Sequence, residues 1–134
     1  MKKALLDTNI LSYFMRGDVK VVDKIGNYLR GYSYLTFSAL TYYETKSGLM
    51  YKDARKQKQR FEQLADISEI IPLGKEVADV ASQIYVDLRG QGLLIAPVDL
   101  LIGATAVCYD YTLITANVKH FQNIRDLQYE DWSA

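Results

Sequence analysis

The sequence predicts an α/β fold in which a mostly parallel sheet carries helices on both faces. Three observations predict it: short apolar or β-branched runs recur along the chain, segments of helical periodicity separate them, and caps and glycines mark the joins. "KALLD" reads as a short buried strand, and "TNILSYFMRG" as a short helix closed by Gly17, because glycine tolerates the left-handed conformation after a helix. "DVKVVDKIGNYLRG" has Asp18 as a cap and Val19, Val22, Ile25 and Leu29 at helical spacing, ending near Gly31. "YSYLTFS" is aromatic and β-branched, and so forms the second strand; Ser38 then starts the helix "SALTYYETKSGLMYK", which runs to about Tyr51. "DARKQKQRFEQLADIS" is helical, with Phe61, Leu64 and Ile67 as its apolar stripe, and "EIIPL" is a short strand whose Pro72 would break a central ladder. In "GKEVADVASQIYVDLRGQG" a helix turns Val77, Val80, Ala81, Ile84 and Leu88 inward and ends at Gly90 and Gly92. Pro97 and Asp99 open a buried helix that runs to about Tyr109. "YTLITAN" is an apolar strand ending at Thr115 to Asn117, "VKHF" a single turn, and "IRDLQYEDW" adds an edge strand.

A chain of 134 residues has the size of one domain, residues 1–134, and 49% hydrophobic content suffices for one core. The 16 basic and 16 acidic residues cancel, so a nucleic-acid partner has to be held by a local patch rather than by a global field. Cys108 is the only cysteine, which excludes an intrachain disulfide and a cysteine-based zinc site. The apolar run before Asp7 is too short for a signal-peptide core, and no window reaches membrane-spanning length, so the expected location is cytoplasmic, with no membrane contact.

Parallel strands would gather the polar residues at their carboxyl ends along one edge, which is where open α/β sheets bind ligands. Asp7, Asp99 and Asn117 sit at strand-to-helix junctions, and Glu44 lies six residues after Ser38, near the same edge. Each has an ordinary structural alternative: Asp7 and Asp99 as helix caps, Glu44 as a solvated acid, Asn117 as a turn residue. The joint pattern says more. Asp7 lies among Leu5, Leu6, Ile10 and Leu11, and Asp99 beside Leu100, Leu101 and Ile102, with no Lys or Arg adjacent to either. Buried anions are costly unless neutralised, and a hard divalent cation, Mg²⁺ or Mn²⁺, would do so through carboxylate oxygens.

The stretches "LLDTNIL", "SALTYYETKSG", "IAPVDLLIGATA", "LITANVKHF" and "LQYEDW", in this order and spacing, resemble the PIN-domain ribonucleases and, within them, the VapC toxins of bacterial toxin–antitoxin pairs. The resemblance covers essentially the whole chain. It implies a three-layer α/β/α sandwich, an acidic pocket for Mg²⁺ or Mn²⁺, and endonucleolytic cleavage of RNA, with tRNA or rRNA as expected targets. It also implies that Asp7 and Asp99 are principal metal ligands, that Glu44 acts as a third acid directly or through water, and that Asn117 is the fourth polar position. Thr8, Asn9 and Thr115 would orient ligands and water. Where many members place another acid, this chain has Asn117 and then His120. The partners implied are an RNA substrate, a VapB-like antitoxin and a second copy of the chain in a homodimer. The antitoxin would lay its C-terminal segment in a groove and send a side chain into the pocket.

Other chemistries fare worse. The single histidine, His120, excludes a double-histidine ribonuclease mechanism, and a lone His in a short turn reads more readily as structural than as catalytic. No nucleophile elbow, Walker loop or GxGxxG fingerprint occurs. An aspartyl-phosphate enzyme built on Asp7 would lack its second nearby acid. The competing reading is a non-catalytic PIN fold that binds RNA or protein. The run "KDARKQKQR" has five basic residues in nine, and on one helix Lys52, Lys56 and Arg60 would share a face able to hold an RNA backbone, or simply to be solvated. Of 11 tyrosines, Tyr28, Tyr32, Tyr34, Tyr42, Tyr43 and Tyr51 cluster in the first half, too many on helices for all to pack in the core, which favours an interface.

Overall fold

The computed structural model describes residues 2–134. Its elements run β1 (Ala4–Leu6), α1 (Thr8–Met15), α2 (Val19–Tyr28), β2 (Thr36–Ser38), α3 (Ala39–Tyr51), α4 (Arg55–Asp66), β3 (Glu69–Ile71), α5 (Lys75–Gly90), α6 (Pro97–Tyr109), β4 (Thr112–Ile114), α7 (Val118–Phe121) and β5 (Tyr129–Glu130). The strands form one five-stranded sheet in the order β3-β2-β1-β4-β5, and each neighbouring pair is parallel. The chain therefore winds outward from β1 to β2 and β3, then returns to β1's other side for β4 and β5. This reversal creates a switch point between β1 and β4, where two successive crossovers leave a crevice at the carboxyl ends.

Alternation along the strands divides the core into two layers. Leu5 and Leu113 face Val77, Ala81, Ile84 and Ile102 from α5 and α6, whereas Leu6, Phe37 and Ile114 face Ile10, Leu11, Val21, Ile25 and Phe61 from α1, α2 and α4. The result is the expected three-layer α/β/α sandwich. The boundaries expected for α1, α3, α5 and α6 hold closely, for the expected reasons: Ser38 Oγ accepts from the Thr41 amide at 3.1 Å, Gly17 and Gly92 close helices at positive φ, and Pro97 occupies the first turn of α6.

Four local expectations need correction. In α2 the buried residues are Val21, Ile25 and Tyr28, while Val19 is 72% exposed and Val22 and Leu29 also face solvent. The aromatic Tyr28 decides the rotation: its ring stacks on Tyr32 at 4.5 Å and packs near Trp132, and its hydroxyl accepts from the Ala4 amide at 3.1 Å. In α4 Phe61 and Ala65 are buried and Leu64 packs half-buried against the same core, as expected. Ile67 lies beyond the helix end and is 74% exposed, since Phe61 is fixed between Phe37 and Tyr42. The basic run does not form one helix, because Asp53 adopts φ 52° and separates α3 from α4. Lys52 caps the end of α3, while Lys56 and Arg60 ride on α4, so the three do not share a helical face. The second strand also begins only at Thr36, later than "YSYLTFS" implies.

Gly103 sets the distance between α6 and the segment after it. A Cβ there would lie 2.9 Å from Ile124 Cδ1 and 3.4 Å from the Phe121 ring, both buried side chains. Gly103→Val is expected to destabilise the fold by about 2 kcal/mol through overpacking, read from the midpoint of urea unfolding. Gly103→Ala should cost less, because the gain in helix propensity of about 1 kcal/mol offsets part of the contact.

Candidate active site

The carboxyl end of β1 delivers Asp7 into the switch point. Its amide donates to the Ile114 carbonyl at 2.8 Å, continuing the β1–β4 ladder by one residue, and its extended backbone makes it the N-cap of α1. The two carboxylate oxygens are divided between two neutral donors: Oδ1 accepts from the Thr8 amide at 2.8 Å, and Oδ2 from the Thr115 hydroxyl at 2.8 Å. Asp7 is thus a helix cap, as its ordinary structural reading holds, yet one of its oxygens is held from the neighbouring strand. Thr115 Oγ1 accepts in turn from the Asn117 amide at 3.0 Å, which fixes the turn into α7.

Thr8 extends the network to the next helix. Its hydroxyl donates to Glu44 Oε1 at 2.6 Å and lies 3.3 Å from the Thr41 hydroxyl, so α1 and α3 meet through polar contacts beside Asp7. Asp99 stands in the first turn of α6, where unpaired helix amides favour an anion, and the cap position belongs to Ala96 rather than to Asp99. Its Oδ2 lies 3.1 Å from His120 Nδ1 on α7, with Asp99 one-quarter exposed and His120 more than half exposed. Asn117 begins α7 without a side-chain capping bond, and Asn9 is half-buried in the first turn of α1.

Electrostatically the site is a concentration of like charge. Asp7 is only 3% exposed, and burial pushes its carboxyl above the usual carboxylate range. The bonds from Thr115 and Thr8 oppose this rise, and the charges of Asp99 and Glu44 add to it. Among the described residues no salt bridge reaches Asp7 or Glu44. The structure thus draws Asp7, Thr8, Glu44, Thr115 and Asn117 into one hydrogen-bonded network, with Asp99 electrostatically coupled to it. Lys52, Lys56 and Arg60 are exposed and make no hydrogen bond or ion pair with the acids. His120, read from sequence as structural, instead touches a site acid; its only sequence signal is its place one turn after Asn117.

The PIN domain model matches residues 4–127. The chain belongs to the PIN-domain family. Within that family it is 32% identical to Ribonuclease VapC1 of Haemophilus influenzae strain R2866, over 96% of this chain and 97% of the relative. It is 30% identical to Ribonuclease VapC1 of Methanocaldococcus jannaschii, over 92% and 82%. Among solved structures, this PIN domain superposes on VapBC-1 from nontypeable Haemophilus influenzae with a TM-score of 0.83 at 30% identity, covering 98% of each chain. VapBC2 from Rickettsia felis, solved bound to a DNA fragment from its promoter, shares the fold with a TM-score of 0.88 at 24% identity, covering 96% of this chain and 98% of that one.

The donor set of this PIN domain fits a hard divalent cation. Carboxylates, hydroxyls and the Asn117 amide offer oxygen ligands, and the buried Asp7 carboxylate, with Glu44 and Asp99 nearby and no basic side chain paired with it, calls for positive charge. Among the described residues no three His, Cys, Asp or Glu side chains form a ready-made cage.

The raised carboxyl of Asp7 has a consequence for stability. Between the unfolded carboxylate value of about 4 and the raised native one, the native state holds more protons than the unfolded state, so stability falls as pH rises through that window. Asp7→Asn removes this loss while keeping both contacts, because its Oδ1 still accepts from Thr8 and the Thr115 hydroxyl can turn to accept from the new amide. In chelator, Asp7→Asn is expected to be more stable than the parent at pH 7, with the difference shrinking toward pH 4. Urea unfolding across that range checks it, and a pH-independent difference would contradict the burial argument.

Proposed function

We propose that this chain is a metal-dependent endoribonuclease acting as the toxin of a toxin–antitoxin pair, organised as one PIN domain across residues 1–134. The observation that carries the reading is the buried Asp7 carboxylate at the switch point, with Asp99 and Glu44 as its charged neighbours and no basic residue paired with it. Kinship to proteins named VapC ribonucleases supplies the substrate class.

In this reading Asp7 and Asp99 hold Mg²⁺ or Mn²⁺, with Glu44 joining directly or through water and Asn117 completing the polar rim. A divalent ion held by these residues would lower the pKa of a water and offset charge on the phosphate oxygens. The protein's own part is positional. Thr8 and Thr115 fix the Asp7 carboxylate from two sides, and Thr8 orients Glu44 so that Oε2 carries no protein hydrogen bond among the described residues. His120 similarly engages Asp99 Oδ2 and leaves Oδ1 without one. The expected products are a 5′-phosphate and a 3′-hydroxyl.

A VapB-like antitoxin is the proposed partner, in keeping with the VapBC complexes whose toxin fold this chain shares. Tyr28, Tyr32 and Tyr42 are spent on packing, but Tyr43 and Tyr51 are 64% and 93% exposed on α3. They remain for the antitoxin or for a homodimer contact. No helix among the described residues is long and apolar enough to cross a membrane, in keeping with a cytoplasmic location. The competing reading, a PIN fold that only binds RNA or protein, draws on Asn117 and His120 standing in place of another acid.

Purified, antitoxin-free protein is expected to cut end-labelled tRNA and rRNA at discrete positions with Mg²⁺ or Mn²⁺, and to stop in chelator. Asp7→Asn and Asp99→Asn should each lower the rate by more than about 100-fold. Full activity in either variant would sink the mechanism, and no cutting by folded protein under any metal would favour the binding-only reading. Reversing the charge of Lys52, Lys56 and Arg60 together is expected to weaken RNA binding and flatten the log–log salt slope by about 2, seen in filter-binding titrations. An unchanged slope would make them solvated residues only.

A further inference from the structure

A cleft of about 300 Å³ opens between the α5–α6 loop and α7, with Asp99 in its lining. Leu93, Ile95 and Ile124 give it an apolar wall, and Asp99, His120 and Asn123 a polar one. We propose that this cleft seats one nucleobase of a single-stranded RNA, beside the phosphate presented to the acids. The inference rests on the ribonuclease reading of the same site.

Four features of the cleft point to a base. It is continuous with the acidic site, because Asp99 and His120 belong to both. Whatever fills it therefore lies against the Asp99 carboxylate. Its walls match a planar heterocycle: aliphatic side chains and an imidazole cover a ring face, while the Asn123 amide, both donor and acceptor, meets a hydrogen-bonding edge. Its charges place the phosphate outside. Asp99 repels an anion from the interior, whereas Lys119 is exposed on the lining and can hold a neighbouring phosphate. Its size lies at the lower limit for small-ligand sites, enough for one base and too little for a folded peptide segment. Leu94, 82% exposed on the α5–α6 loop, adds an apolar side chain at the mouth that can cover a seated base.

The test uses the full chain carrying Asp7→Asn, which leaves the cleft intact, labelled with ¹⁵N and held in chelator. AMP, GMP, CMP and UMP are titrated separately, with ribose 5-phosphate as the control for phosphate alone. The nucleotides are expected to shift the amide resonances of Ile95, His120 and Asn123 in a saturable way, and ribose 5-phosphate at most that of Lys119. Ala96→Trp, a substitution at an exposed lining position, should fill the cleft and weaken nucleotide binding at least tenfold. Asn123→Ala, also at an exposed position, should weaken it without filling the space. Nucleotide-selective shifts that these variants remove support the base seat, even if the parent protein proves unable to cut RNA. Absent shifts, shifts matched by ribose 5-phosphate, or shifts unaffected by both variants overturn it, even if cleavage is confirmed. A response only to the C-terminal peptide of a VapB-like antitoxin would assign the cleft to protein and likewise overturn it.

Discussion

The site depends on the register of two strands. β1 and β4 pair with Leu6 opposite Ile114, so the next residues along, Asp7 and Thr115, meet side by side at the edge of the sheet. The same register sends Leu5 and Leu113 to one core layer and Leu6 and Ile114 to the other. A slip of one residue would reverse both layers, so the burial of four aliphatic side chains enforces the placement of one carboxylate. The geometry of the proposed site is a by-product of core packing, and it needs no rigid loop of its own.

Around that fixed point the fold accumulates an electrostatic cost. Asp7 is buried beside two other acids and receives hydrogen bonds only from neutral donors, an arrangement that weakens the protein before any cation or substrate arrives. Threonines are suited to this duty, since each hydroxyl can donate to a carboxylate and still accept from another group. Thr115 does so between Asp7 and the Asn117 amide. The tension is the kind that persists where function requires it, with stability drawn from the two apolar layers elsewhere.

Much of this was readable in the chain beforehand. Strand ends at Asp7 and Thr115 follow from apolar runs that stop at polar residues, and the helices of Glu44 and Asp99 announce themselves through Ser38 and Pro97. What failed to show were features set by competition between distant side chains. Helix α2 turns Val21 and Tyr28 inward, rather than Val19 and Val22, because Tyr28 finds Tyr32, Trp132 and the Ala4 amide, partners that periodicity does not see. The continuous basic face was lost to a single left-handed Asp53, a conformation that an aspartate permits but does not require. The contact between His120 and Asp99 spans 21 residues and exists because Gly103 lets the α7 segment approach α6 closely.

The double duty of Asp7 also shapes how such a protein can lose its chemistry over generations. Most replacements at this position discard the cap of α1 together with the charge, and so cost about 1 kcal/mol of stability along with the proposed chemistry. Asparagine keeps both the capping oxygen and the shape of the side chain, and both aspartate codons reach it by a single base change. One short mutational path away from the proposed chemistry therefore leads to an intact PIN fold rather than to an empty locus.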